Sequence, residues 1–103
     1  MTFRVRYTTG AREDIRRLYQ HLLDGAATTE DLELAERALA ALADGVSRLA
    51  LSPFLYRKAG SSPFLRELII PFGSAGYVAL FEIDDAETVS VLAVRHQLED
   101  DFH

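Results

Sequence analysis

The sequence predicts a two-layer α+β domain in the order β-α-α-β-β-β, a helical hairpin packed on a mostly antiparallel sheet. Three observations carry that expectation. An alternating segment opens the chain, two helical periodicities follow it, and the stretch from Phe64 to His96 reads as three strands in succession. With 103 residues, 49% of them hydrophobic, the chain is sized for one domain over 1–103 with a real core.

From Thr2 to Thr8, Phe3, Val5 and Tyr7 point one way and Arg4, Arg6 and Thr8 the other, a half-buried strand. Thr8, Thr9 and Gly10 are cap-type residues, so a helix begins after them. Ala11, Ile15, Leu18, Tyr19 and Leu22 form its apolar stripe. Asp24-Gly25 ends it with a residue able to take the left-handed conformation beyond the last turn.

Thr28 and Thr29 cap a second helix, with Glu30, Asp31 and Glu33 where the dipole favours negative charge. Leu32, Ala35, Leu39, Leu42, Val46 and Leu49 recur as a short heptad-like seam, the signature of a hairpin packing on its partner. Gly45 interrupts this helix at a cost of about 1 kcal/mol relative to alanine. Pro53 marks its stop. Ser52 to Pro63, with two prolines, a glycine and three serines, reads as a loop whose Phe54, Leu55 and Tyr56 pack down.

Pro63 and Pro71 bound the next strand, Leu65 to Ile70. Small residues at Gly73-Ser74-Ala75-Gly76 permit positive φ in the turn that follows. Tyr77 to Ile83 is rich in β-branched and aromatic residues, and Asp84-Asp85-Ala86-Glu87 turns the chain again. In the last strand, Val89, Val91 and Ala93 alternate against Ser90 and Leu92. Two short loops between three strands make an antiparallel meander.

The absence of cysteine excludes a disulfide framework, a thiol nucleophile and cysteine-ligated metal sites. No signal peptide or membrane span is recognisable, so a cytoplasmic protein is expected. A formal net charge of -5 disfavours direct, sequence-independent attraction to nucleic acid. The charge is uneven, with Arg4, Arg6, Arg12, Arg16 and Arg17 crowding the start. The acids gather in Glu30–Glu36, Asp84–Glu87 and Glu99–Asp101. His96, Glu99, Asp101 and His103 match no established ligand spacing, so no metal is expected, and no cofactor is implied.

Ala11-x-x-Asp14-Ile15 after the first strand, Leu65-Arg66-Glu67-Leu68, Gly76-Tyr77 and Val94-Arg95-His96 with Glu99-Asp100 occur in that order. Together they resemble the RelE/ParE superfamily of toxins from type II toxin–antitoxin modules, over essentially the whole chain. The Arg-His-x-x-Glu-Asp ending looks like the ParE branch. RelE-like members cleave messenger RNA on the ribosome, which requires cations at the phosphate. Here Val78 follows Gly76-Tyr77, and Gln97, Glu99, Asp100, Asp101 and Phe102 replace a basic ending, a poor match to an RNA backbone. ParE-like members act by binding, poisoning DNA gyrase until an antitoxin wraps them, and serve in plasmid stabilisation.

The resemblance therefore implies a gyrase-inhibiting toxin neutralised by a cognate antitoxin. The alternatives are a ribosome-dependent endoribonuclease and a non-toxic relative that only binds its antitoxin. Candidates for contact with target or antitoxin are Arg66, Tyr77, Arg95, His96 and Phe102. No catalytic set is assigned, although His96 supplies an imidazole suited to acid–base work. A structural reading pairs Arg66 with an acid such as Glu82 and Arg95 with the acidic tail. Leu18, Leu22, Leu23 and Leu34 are candidates for an antitoxin groove on the helices.

Overall fold

A computed structural model describes residues 2–98. Strand β1 (Arg4–Tyr7) leads into α1 (Thr9–Asp24) and α2 (Thr29–Ser47), followed by 3-10 turns at Arg48–Ala50 and Pro53–Leu55. Next come β2 (Arg57–Lys58), β3 (Leu65–Phe72), β4 (Ala75–Ile83) and β5 (Thr88–His96). The sheet order is β1-β5-β4-β3-β2, with β1 parallel to β5 and every other pair antiparallel. α1 packs chiefly on β5 and α2 on β3, which gives the expected two layers. The addition is β2, where Arg57 and Lys58 pair with Glu67 and Arg66 inside the stretch expected to be loop.

The first strand alternates as its sequence requires, Arg4 and Arg6 exposed, Val5 and Tyr7 half-buried. Thr8 then caps α1. Its hydroxyl accepts the Ala11 N–H at 3.1 Å and donates to the Val91 carbonyl at 3.0 Å, so the cap also fixes the helix to β5. Within α1 the buried residues are Ala11, Asp14 and Leu18. Asp14 is the unexpected member of that row. Pairing of β1 with β5 reaches only Tyr7 opposite Val91. Beyond it, the Asp14 carboxylate accepts the Val94 N–H at 2.8 Å and takes over the missing strand's role.

α1 does not end in a left-handed residue. Gly25 has φ -87°, and the last turn tightens so that the Ala26 N–H reaches the Leu23 carbonyl at 3.1 Å. The tight connection leads straight into a capping box. Thr28 accepts from the Asp31 N–H, and the Asp31 carboxylate accepts from the N–H groups of Ala27 and Thr28. Those bonds, the one from Ala27 foremost, hold the Asp31 carboxyl below the usual carboxylate range.

In α2 the buried residues are Ala35, Ala38, Leu42, Gly45 and Val46, with Leu49 following in the 3-10 turn. Ala35, Leu42, Val46 and Leu49 of the heptad-like seam are buried, while Leu39 is half-buried and Leu32 is 48% exposed, so Ala38 and Gly45 complete the buried face. A helix at 3.6 residues per turn on a sheet keeps its own period, and small residues permit close approach. Gly45 shows the closeness: a Cβ there would lie 2.8 Å from Cγ1 of Ile70 on β3.

The β3–β4 turn uses positive φ at Gly73 and Gly76, and a Cβ on Gly76 would meet the Ile70 carbonyl at 2.3 Å. β4 supplies Tyr77, Ala79, Phe81 and Ile83 to the core under the helices. β5 carries a bulge. Leu80 pairs with Ala93 and Phe81 with Val91, leaving Leu92 as the extra residue. The simple alternation expected for this strand therefore breaks. Val89 and Val91 join the core before the bulge and Val94 after it, whereas Ala93 moves to the other face with Leu80.

Candidate functional site

The bulge decides where the last two residues of β5 go. His96 pairs with Tyr77 on the helix side of the sheet, and Arg95 pairs with Val78 on the open side. Tyr77 is 4% exposed, and its hydroxyl is pushed above its ordinary value of 10.0 by burial. Its ring meets His96 edge-on at 5.7 Å and Phe72 at 6.2 Å. The N–H of Leu98 donates to Nδ1 of His96 at 3.2 Å, which orients the imidazole. Gln97 extends the ladder, its N–H bonding the Gly76 carbonyl at 2.8 Å.

These rings form one wall of a groove of about 550 Å³ between the helical hairpin and the β3–β4 turn. α1 contributes Arg17, Leu18, His21 and Leu22, and α2 contributes Leu34. Phe72 to Ala75, Tyr77 and His96 supply the sheet side. Leu18 and Tyr77 belong to the core, so the groove floor is part of the packed interior. Leu34, at 40% exposed, forms its outer lip. Among the described residues no acid lines the groove, whereas Arg17, His21 and His96 do. The site offers apolar anchoring with cationic or titratable groups at its margin, the pattern that suits an amphipathic segment carrying carboxylates.

The structure thus joins two sets of residues that the sequence keeps apart. Leu18, Leu22 and Leu34 from the helices meet Tyr77 and His96 from the sheet. Leu23 is half-buried and lies outside the lining. Arg95 is on the opposite face, its guanidinium 3.4 Å from the carbonyls of His96 and Gln97. Phe102 lies outside the described residues, as do Glu99, Asp101 and His103 of the candidate metal set. Among the described residues no cluster of three or more metal-ligating side chains occurs.

Arg66 departs furthest from its sequence-level placement. It pairs with Phe81 across the strands, on the helix side, while Glu82 lies opposite Leu65, so no Arg66–Glu82 pair forms. Its guanidinium donates to the carbonyls of Pro63 at 2.8 Å, Phe54 at 3.0 Å and Tyr56 at 2.8 Å. It also sits 5.3 Å from the centre of the Phe54 ring. This arginine organises the loop before β3. Sequence reasoning passed over Arg17 and His21 as groove residues. Their signal was the i, i+4 spacing directly beside Leu18 and Leu22, legible only once a facing wall is known.

The sequence model described as the ParE toxin of type II toxin–antitoxin systems, parDE, matches residues 5–101. No protein of curated function matches the sequence. Among solved structures, a chain of "Chromosomal ParDE TA system from P. aeruginosa" superposes with a TM-score of 0.73 at 17% identity. That likeness covers 92% of this chain and 96% of the other, and it shows a shared fold. No helix among the described residues is long and apolar enough to cross a membrane. With the family pattern spanning nearly the full length of a β-α-α-β-β-β domain, this chain belongs to the ParE toxin family of type II toxin–antitoxin systems.

Proposed function

We propose that this protein is a toxin that acts by binding, inhibiting DNA gyrase, and that its antitoxin neutralises it through the groove between the hairpin and the β3–β4 turn. The groove carries the proposal: about 550 Å³ of largely apolar lining, open at Leu34 and edged by Arg17, His21 and His96. An amphipathic antitoxin segment fits that chemistry, burying apolar side chains on Leu18, Leu22, Phe72 and Tyr77 and placing carboxylates at the rim. Binding rather than bond-breaking is supported by how Arg66 is used. Arg66 commits its donors to three carbonyls of its own chain.

Induced expression should arrest growth, co-expression of the antitoxin should relieve the arrest, and purified protein should inhibit gyrase supercoiling. Intact supercoiling at high toxin concentration would remove gyrase as the target, and cleavage of translating messenger would replace the binding reading with nuclease chemistry. Leu34→Glu tests the groove itself. It leaves the core untouched, places an acid at the lip, and should abolish rescue by antitoxin while growth arrest persists.

A further inference from the structure

At the other end of β4 lies a second cleft, of about 400 Å³, lined by Phe3, Phe54, Phe64, Ile83, Asp84 and Asp85. The length of β4 separates it from the groove, roughly 30 Å for a nine-residue strand. Its walls are aromatic and open to water, with Phe54 50% and Phe64 49% exposed, their rings edge-to-face at 6.4 Å. At its mouth stand two carboxylates held by the fold. Asp84 accepts the Ser90 hydroxyl at 2.5 Å, and Asp85 accepts the Glu87 N–H at 2.8 Å. Among the described residues no base lines the cleft directly, although Arg66 stacks on the Phe54 ring.

The walls are set in advance of any ligand. Arg66 ties the carbonyls of Phe54 and Pro63 together and stacks on the Phe54 ring, fixing the two aromatic segments relative to each other. Its charge does not cancel the field at the turn, because Glu82, Asp84, Asp85 and Glu87 fall within six residues. Exposed aromatic faces beside paired acids bind a cation on an apolar stem, through the ring quadrupole and charge-assisted hydrogen bonds together. A planar guanidinium meets both demands better than an ammonium, since it stacks flat and engages a carboxylate with two donors.

We propose that this cleft takes an arginine side chain presented by a protein partner, its stem along the exposed Phe64 ring and its guanidinium at Asp84 and Asp85. The surface is separate from the antitoxin groove and stands whether or not that groove is used. It gives the molecule a cation-accepting end and a carboxylate-accepting end.

The test is an amide NMR titration of the full chain with the peptide acetyl-Leu-Arg-Leu-amide, with the Lys and Gln counterparts as controls. Saturable shifts are expected at the amides of Phe54, Phe64, Asp85 and Ala86, with the groove residues unmoved. The Gln peptide should bind about fivefold more weakly, the Lys peptide in between, and added salt should weaken the Arg peptide most. Asp85→Asn and Phe64→Ala should each weaken the Arg peptide about fivefold. Asp85 is exposed, so its variant keeps the test valid should Phe64→Ala disturb the loop. Equal binding of the Arg and Gln peptides, shifts confined to the groove, or no saturable shift at these amides would each overturn the proposal.

Discussion

The two ends of the sheet are built on different principles. At the β3–β4 end the groove is floored by Leu18 and Tyr77, which are also core residues, and its polar margin holds Arg17, His21 and His96. At the β4–β5 end the cleft touches the core only at Ile83 and Phe3, its outer walls being Phe54 and Phe64, half-exposed and outside the core cluster, and its margin is acidic. A binding surface cut into the core inherits the core's rigidity but cannot be changed without cost to stability. One assembled from a loop can be changed freely, provided something else holds the loop. Arg66 is that something.

The sharpest way to break this contrast is to truncate one residue at each end and compare unfolding in denaturant. Leu18→Ala should cost about 3 kcal/mol, because it empties a buried position under the groove. Phe64→Ala, half-exposed, should cost under about 1 kcal/mol. Equal losses would mean that the loop belongs to the core after all.

A smaller effect is expected at Asp14. Asp14→Ala leaves the Val94 N–H without its acceptor and should cost about 2 kcal/mol, with fast amide exchange appearing at Val94. Undiminished protection at Val94 would show that another acceptor replaces the carboxylate. Arg66→Ala should follow at about 1 kcal/mol, its hydrogen bonds being partly solvent-screened. The informative readout there is positional. Shifts should cluster at Phe54, Tyr56 and Phe64 and leave the groove residues at the opposite end unmoved.

The smallest effect concerns pH. Folding lowers the Asp31 carboxyl below its ordinary value of 3.8, so its contribution is present above that value and is lost as pH falls through the lower folded one. The stability gap between the natural protein and Asp31→Ala should therefore be constant near neutrality and shrink below about pH 4. A gap that stays constant into strong acid would deny the capping carboxylate its role.

Much of this architecture is legible from local chemistry. The alternation of Phe3, Val5 and Tyr7, the Thr8 and Thr28 caps, and the small-residue turn before Tyr77 each depend on neighbours close in sequence. What escaped depends on partners far away. Gly45 reads as a helix weakness, and only the Ile70 side chain pressed against it turns that weakness into a close contact. Arg66 reads as a surface arginine, because two of the three carbonyls that hold it belong to a loop ten to twelve residues earlier. The Leu92 bulge leaves no mark in composition, yet it determines that His96 and not Arg95 enters the groove. The groove candidates were half legible for the same reason. Their helical half follows a periodicity, and the facing wall comes from the fold.

The pairing of β1 with β5 also sets an order of events. Among the described residues, the first strand finds its sheet partner only in the last, and Asp14 waits for Val94 across 80 residues. Tyr77 likewise waits for His96 before the wall of the groove exists. Contacts this distant along the chain close late, since loop entropy opposes them until much else is in place. At typical synthesis rates of about 5–20 residues per second, nearly the whole described chain emerges before either joint can form. A nascent copy thus carries neither a finished binding surface nor a finished N-terminal edge. Recognition by any partner that reads this shape begins only once residue 96 has been made.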